Sequence, residues 1–454
     1  MEHLMKTFAF ALAMIVVAGC HKDNNYCPGA NPDNSCAEID AKVADGCSSN
    51  ATCTAPKAVC DLAGSKTCVQ CVAPDDTSAC TATSPVCGND HTCRGCTAHT
   101  DCPVSDVCLP DGSCADTSVV AYVAPTGTDN TSCTKATPCT KVAKALATSR
   151  PFVKFTGTTD EAVTVNGAKH VTFLAAPSAV LTRGSGTGAI ITVSDDNTSL
   201  QVFDLGIKNA PNTASGVGLV IPTASGAPTV SLTRVTITNN PGGGISASGG
   251  TLTVTQSTIS GNTGGGITAS GGGTLTVTQS TISGNTGGGI TVGAGTTFIL
   301  VGNIFFLNGN GSASVGGVSI MTSQSTTNRL EFNSFNKNTT QDGVASAIYC
   351  VAGTFTARNN ILSGNGTQTQ LDQTGGSCTH AYSIVRPGAL PAGTGNSAAD
   401  PLFVNTTTGD LHIQTSSPAR AAADPSSNLT GVAAKDLDGD PRVAPADIGA
   451  DQLP

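Results

Sequence analysis

Residues 242–263 read GGGISASGGTLTVTQSTISGNT, and residues 264–286 repeat the text as GGGITASGGGTLTVTQSTISGNT, with one glycine added. A looser third copy begins at Gly287 with GGGITVGAGTTFILVGNIFFLNGN. A period of 22 to 23 residues is short for paired-helix repeats, and abundant Gly and β-branched residues oppose helix. Within each copy apolar residues alternate with Thr or Ser, the period-two pattern of a strand with one buried face. Stacking the copies places Ile245, Ile267 and Ile290 in one column. Leu252, Leu275 and Phe298 form a second, Val254, Val277 and Leu300 a third, and Ile259, Ile282 and Phe305 a fourth. Three short strands per copy, joined by polar or Gly-rich turns, make one coil of a solenoid filled by these columns. Asn240, Asn262, Asn285 and Asn308 recur in one turn, with looser matches at Asn338 and Asn365. Stacked amides of this kind hydrogen-bond along the axis, so the row reads as structural.

Composition agrees with such a solenoid. Of 454 residues only 12% are charged, 53 are Gly and none is Trp. A disordered chain would carry more charge and fewer Val, Ile and Leu. The formal net charge of −9 and the lack of a Lys/Arg cluster exclude nucleic acid as a partner.

The N-terminus reads as a signal peptide: Lys6, the apolar run of residues 8–17, then small residues. The run is too short to span a bilayer. Its end, Val17-Ala18-Gly19-Cys20, resembles the bacterial lipobox, which implies cleavage before Cys20 and acylation of its thiol. The partners expected are therefore a membrane, reached through the lipid, and surface or extracellular glycans. The location expected is the cell envelope, as an outer-membrane lipoprotein exposed at the surface.

Setting Cys20 aside leaves an even number of cysteines, as full pairing outside the cytoplasm requires. Cys27 and Cys36 come first. Then follow three four-Cys units: Cys47, Cys53, Cys60 and Cys68; Cys71, Cys80, Cys87 and Cys93; Cys96, Cys102, Cys108 and Cys114. Such short polar units bury too little apolar surface to fold without cross-links. Their connectivity is not readable from spacing. The C-x-x-C joins beside His91 and His99 also fit zinc ligation, but export to an oxidising compartment favours disulfides and no metal. The segment resembles Cys-rich repeats placed ahead of binding or display domains in bacterial surface proteins, which implies a spacer or interaction stalk. Cys133 with Cys139, and Cys350 with Cys378, are expected as further bridges.

From about Tyr122 to Leu390 the chain resembles the right-handed parallel β-helix superfamily, the pectate-lyase-like proteins. The fold class expected is thus all-β, a right-handed parallel β-helix solenoid preceded by a small disulfide-rich region. The motif Tyr122-Val123-Ala124-Pro125-Thr126-Gly127-Thr128-Asp129, followed by Thr137-Pro138-Cys139-Thr140-Lys141, resembles the entry segment of bacterial members. Residues 141–148 are expected to form a short helix over the open end. The motifs Asp400-Pro401-Leu402-Phe403, Gly409-Asp410-Leu411-His412-Ile413, Ser417-Pro418-Ala419, Asp436-Leu437-Asp438-Gly439-Asp440-Pro441-Arg442 and Asp447-Ile448-Gly449-Ala450 resemble the closing segment of choice-of-anchor-type surface proteins. That segment is expected to cover the strand edges of the last coil. The organisation expected is a signal peptide (1–20), a tether (21–46), Cys-rich repeats (47–118), the β-helix (119–395) and a closing segment (396–454).

Enzymes of this superfamily need acids, and usually Arg or Lys, converging on one outer face. Residues 235–328 contain no charged side chain, which removes the usual groups for acid–base catalysis or hard-metal binding. Elsewhere the candidates are Asp195, Asp196, Asp204, Lys208, Arg234, Glu331, Asp342, Arg358 and Asp372. Asp195-Asp196 resembles the paired acids of pectin hydrolases, but the accompanying Gly-His-Gly and Arg-x-Lys motifs are missing, so a solvated turn is expected. Asp436-x-Asp438-x-Asp440 with Asp447 resembles a calcium loop, yet Pro441 stands where such a loop needs Gly. A structural role with an Arg442 ion pair is expected instead. Thr251, Thr253 and Thr255 over Thr274, Thr276 and Thr278 form a Thr-x-Thr array of the kind that orders water or binds ice. Ile299 and Val301 end it within a coil. No catalytic residue, metal or cofactor is assigned. The function expected is non-catalytic display, adhesion or glycan binding, with a polysaccharide lyase or hydrolase as the alternative.

The position of Cys20 directly after the apolar run predicts an acylated Cys20 at the mature N-terminus. More than one acyl chain is expected there, since a single chain anchors only marginally. Intact-mass spectrometry of detergent-extracted protein checks this; an unmodified N-terminus downstream of Cys20 contradicts it.

Overall fold

The computed structural model describes residues 47–72, 79–223, 226–322, 325, 327–341, 344–351, 354–366, 371–372 and 377–454. Cys20, Cys27, Cys36, the tether and Asp342 lie outside the described residues. The chain divides into two compact units. One comprises Met1–Thr97 with Pro110–Ser113, the other Ala98–Leu109 with Cys114–Pro454.

The first unit is built on two small antiparallel hairpins, Val59–Cys60 with Cys68–Val69 and Val86–Cys87 with Cys93–Arg94. Disulfides join Cys47 to Cys60, Cys53 to Cys68, Cys71 to Cys87 and Cys80 to Cys93. Each pair of bridges therefore links first to third and second to fourth cysteine, a connectivity that spacing left open. Polar side chains supply the turns. The Asp61 carboxylate accepts from the amides of Gly64 and Ser65, and those bonds hold its pKa below the usual carboxylate value.

In the second unit three parallel sheets of 11, 10 and 9 strands run side by side. Neighbours within a sheet are one full coil apart in the chain, so each coil contributes one strand to each sheet. The register places Ile245 beside Ile267 and Ile290, Leu252 beside Leu275 and Phe298, Val254 beside Val277 and Leu300, and Ile259 beside Ile282 and Phe305. None of these side chains is more than 2% exposed. Adjacent coils thus repeat at about the ordinary inter-strand spacing of 4.8 Å. The Phe305 and Phe335 rings stack 4.5 Å apart along one column. Further bridges join Cys102 to Cys114, Cys133 to Cys139 and Cys350 to Cys378. Cys96 and Cys108 are disulfide-bonded as well.

Two sharp bends recur in every coil, and each uses one residue in the left-handed backbone region followed by a hydrogen-bonding side chain. In the first bend Gln256, Gln279 and Gly302 have φ of 49°, 51° and 70°. In the second, Gly261 and Gly284 have φ of 64° and 60°, a conformation glycine adopts without strain. After the second bend come the stacked asparagines. The Asn262 Nδ2 donates to Asn285 Oδ1 at 2.9 Å and to the Ile237 carbonyl at 3.1 Å. Asn285, Asn308 and Asn338 repeat the arrangement, and Asn365 closes the row. A second row follows the first bend, running through Ser257, Ser280, Asn303, Asn333, Asn360 and Ser383. The residues of this row change type from coil to coil, so the repeat did not reveal it. The Gly-rich turn is also tightly packed: a Cβ on Gly266 would stand 2.5 Å from the Gly289 carbonyl.

A short helix, Val142–Ala147, covers the first coil and buries Val142, Ala145 and Leu146. The Glu161 carboxylate accepts from the amides of Val142 and Ala143 at 2.6 and 3.2 Å, serving as the cap that Lys141 does not provide. Over the neighbouring outer face, Val107 and Ala115 pack on Tyr122 and Leu174.

The closing segment corrects the expectation of a lid over the last coil. Only residues 394–397 follow that edge, where Ser397 bridges to Ile384 and Tyr382 N donates to Thr394 O. The chain then turns back along the solenoid's flank. Phe403, Leu411, Ile413, Ile448 and Ala450 pack on Ile304, Phe306, Ile361 and Ile384. The reason lies in the strands beneath. Thr258–Ser260 and Thr281–Ser283 point hydroxyls outward, whereas Ile304–Phe306 and Ile361–Ser363 point apolar side chains outward. That surface is stable only when covered.

Replacing Ile282 with Asp places an unpaired charge in the column and is expected to cost several kcal/mol, about 3 or more. Replacing Thr276 with Asp, on the outer face, should cost under about 1 kcal/mol. Urea denaturation of both variants checks this; equal losses contradict the inward and outward assignment.

Candidate functional site

The outer face of the 11-stranded sheet carries three columns of mostly hydroxyl side chains. Ser199, Thr229, Thr251, Thr274 and Thr297 form the first. Gln201, Ser231, Thr253 and Thr276 form the second, and Thr233, Thr255 and Thr278 the third. Strand alternation produces this face: the residues between them are the buried columns, so every second position must point out. Hydroxyls meet along the axis, Thr274 to Thr297 at 3.1 Å and Thr255 to Thr278 at 3.2 Å. The face is flat, regular and without charge. It reaches two strands further than the repeat suggested, through Thr229–Thr233 and Ser199–Phe203.

Not all of the threonine rows face solvent, which corrects the sequence reading. Thr278 is 6% exposed and Val301 fully buried. Ala433 and Ala446 of the closing segment pack on Val301 and Phe332, and Gln279 Nε2 donates to the Asp436 carbonyl at 2.6 Å. At the other end the face is bounded by Arg234, which lies 5.9 Å over the Phe203 ring and pairs with Asp204 at 2.7 and 2.9 Å. Its hydrogen bond to Asp204 raises the Arg234 pKa.

The charged candidates do not converge. Asp195 and Asp196 sit in a turn at one end of the strand Ser199–Phe203, and Asp204 follows its other end. Asp195 Oδ2 accepts from Gly167 N at 2.8 Å, and Asp196 Oδ1 from Ala227 N at 2.8 Å. Both acids therefore tie neighbouring coils together. Lys208 lies on the 10-stranded sheet. Glu331 lies five strands beyond Ser199–Phe203 and pairs with Arg329 at 2.7 Å. Arg358 pairs with Asp424 at 2.8 Å. Burial raises the Asp424 pKa, but hydrogen bonds from Ser426 and the Arg358 charge outweigh it and hold the carboxyl below its ordinary value. The side chains of Asp342 and Asp372 lie outside the described residues. A cleft of about 590 Å³ is lined by Tyr382, Ala421, Asp424, Ser427, Leu429 and Ala446. Its polar groups are already engaged, Asp424 by Arg358 and Ser427 by Asn359.

The calcium-like loop is likewise turned to the backbone. Asp436 Oδ1 accepts from the amides of Asp438 and Asp440, and Oδ2 from Gln452 N. Asp447 accepts from Ala421 and Leu453. Among the described residues Arg442 makes no ion pair, contrary to expectation. It donates to the carbonyls of Gly449 and Ala450 at 3.0 and 2.7 Å and lies 4.6 Å over the Phe332 ring. The nearby carboxylates are occupied by amides, leaving carbonyls and a π face for the guanidinium. Burial lowers its pKa to about 10.

Three ionisable groups were missed by sequence reading. Lys154 is 1% exposed, and its Nζ has no hydrogen-bond partner. Burial lowers its pKa to about 8, opposed by Asp106 and Asp204. His380 is buried in the last coil, which lowers its pKa to about 4. His412 lies between Asp410 and Asp438, and its ligand atom with those of Asp438 and Asp451 falls within 4.8 Å. No local motif marks these positions, because each environment is assembled from distant segments. Of the histidines beside the C-x-x-C joins, His91 meets the Cys71 carbonyl, while His99 Nδ1 accepts from Cys108 N.

A family model described as "Right handed beta helix region" matches residues 217–384, and the solenoid is a right-handed parallel β-helix. A crystal structure of pectate lyase Pel9A is similar at 16% identity and a TM-score of 0.46, covering 74% of this chain and 96% of that one. A pectin methylesterase from Aspergillus niger is similar at 13% identity and a TM-score of 0.27, over 70% and 95%. No curated protein matches the sequence.

Asn at positions 195 and 196 retains an acceptor oxygen for the amides of Gly167 and Ala227. The double variant Asp195→Asn, Asp196→Asn should therefore change unfolding free energy by under about 1 kcal/mol, as measured by urea titration. A larger loss contradicts a turn role carried by hydrogen-bond acceptance.

Proposed function

We propose that this chain is a non-catalytic display or adhesion protein, lipid-anchored to a bacterial cell envelope through Cys20, whose β-helix binds glycans on its hydroxyl face. The observation that carries the reading is the charge-free array of Ser199, Thr229, Ser231, Thr251, Thr253, Thr274 and Thr276. Hydroxyls both donate and accept, so such a face suits neutral polyols without demanding a counter-charge. The candidate acids Asp195, Asp196, Asp204 and Glu331 are held in turns and ion pairs, which does not favour the free, converging carboxylates of glycoside hydrolysis. The lipid would place the solenoid at the surface, with the disulfide-rich region as a spacer.

Binding to a glycan array, with a parallel screen for polysaccharide cleavage, tests this. The expected outcome is retention of one or more neutral glycans without cleavage, reduced at least about tenfold by Thr253→Glu with Thr276→Glu, roughly the loss of one good contact. Asp195→Asn with Asp196→Asn should leave binding unchanged. Cleavage that this Asp double variant abolishes would replace the reading with that of a polysaccharide lyase or hydrolase.

A further inference from the structure

The closing segment contains one imidazole set among three carboxylates from separate stretches of chain. His412 lies in the strand Asp410–Ile413, which pairs with Phe403–Asn405. Its Nδ1 meets Asp410 Oδ1 at 2.5 Å, and its Nε2 meets Asp438 Oδ2 at 2.8 Å. Asp451, 5% exposed, brings a third carboxylate alongside and accepts from Ile413 N at 2.9 Å. Arg442 is near enough to feel the Asp451 charge but makes no described ion pair with these acids. Arg442 is turned onto the carbonyls of residues 449–451 and the Phe332 ring, while Asp436 and Asp447 accept from amides.

Two carboxylates can both accept from one imidazole only when both ring nitrogens carry hydrogen. The neutral ring can donate to one and must present a lone pair to the other. Asp438 belongs to the turn of residues 436–440, whose Asp436 carbonyl accepts from Gln279 on the solenoid. The imidazole thus ties the Phe403–Ile413 hairpin to the loop that lies against the end of the hydroxyl face.

We propose that His412 is a proton-operated latch, closed in the imidazolium form, which fastens the 436–442 loop to the Phe403–Ile413 hairpin and loosens that junction when the ring loses its proton. Hydrogen bonds to Asp410 and Asp438 and the charges of Asp438 and Asp451 outweigh desolvation and raise the His412 pKa to about 8. Since that value lies above the ordinary 6.5, the latch is fully closed below pH 6.5 and is lost as pH rises through about 8. The ring is about a third exposed, so solvent screening limits the expected change in opening to about fivefold.

Hydrogen exchange of the full chain, corrected for intrinsic base catalysis, should show the 403–413 and 436–442 amides up to about fivefold less protected at pH 9 than at pH 6. His412→Gln should remove that pH dependence while the solenoid strands keep theirs. Histidine-selective NMR should show one ring titrating near 8, shifted downward by Asp438→Asn; this second readout holds even where the Gln variant fails to fold. Identical exchange profiles for wild type and His412→Gln would overturn the latch. So would histidines that all titrate at or below 6.5.

Discussion

The hydrogen bonds that run along the axis between stacked turns are the constraint on which the rest of the solenoid depends. A bend sharp enough to pass from one sheet to the next leaves amides facing the interior, where an unpaired group is costly. Asn262, Asn285, Asn308 and Asn338 meet that demand at one bend, each with its amide oxygen accepting and its nitrogen donating between coils. Ser257, Ser280, Asn303, Asn333 and Asn360 meet it at another. Because each side chain needs a partner one coil away, the coils must stack in strict register. That register aligns the aliphatic columns inside and the hydroxyl columns outside.

The same requirement explains where charge occurs. In the middle of the solenoid, hydroxyls and amides satisfy one another and ions are unnecessary. Charges cluster where the repeat is irregular or another segment docks: Asp195 and Asp196 in a long turn, Asp204 with Arg234 at a bend, and Arg358 with Asp424 under the closing segment. There they tie one coil or segment to another. Lys154 is the exception, an ammonium beneath a covering segment with no hydrogen-bond partner, at a position where neighbouring coils carry Tyr122 and Leu174.

Much of this was legible before any coordinates. Ile259, Ile282 and Phe305 were readable as one inward column, and the Asn240 to Asn308 row as structural. The second row was not, because hydroxyl and amide alternate between Ser280 and Asn303 and only a shared bend reveals their equivalence. The disulfide connectivity of the Cys-rich units was also beyond spacing, since the hairpin sets the third and fourth cysteines side by side and each bonds to a cysteine outside it.

What the sequence by itself determined was the solenoid: its period, its inward columns, its charge-free middle and its disulfide-rich preface. Each coil is the template for the next, so an identical environment recurs every 22 to 23 residues and leaves an identical trace in the text. Only the tertiary structure decided the course of the closing segment, the burial of Thr278 and the setting of His412. These rest on contacts such as Gln279 with Asp436, 157 residues apart, and Ser334 with Ala450, 116 apart. Such contacts occur once, between surfaces whose complementarity depends on shape, and a periodic reading has no second copy against which to detect them.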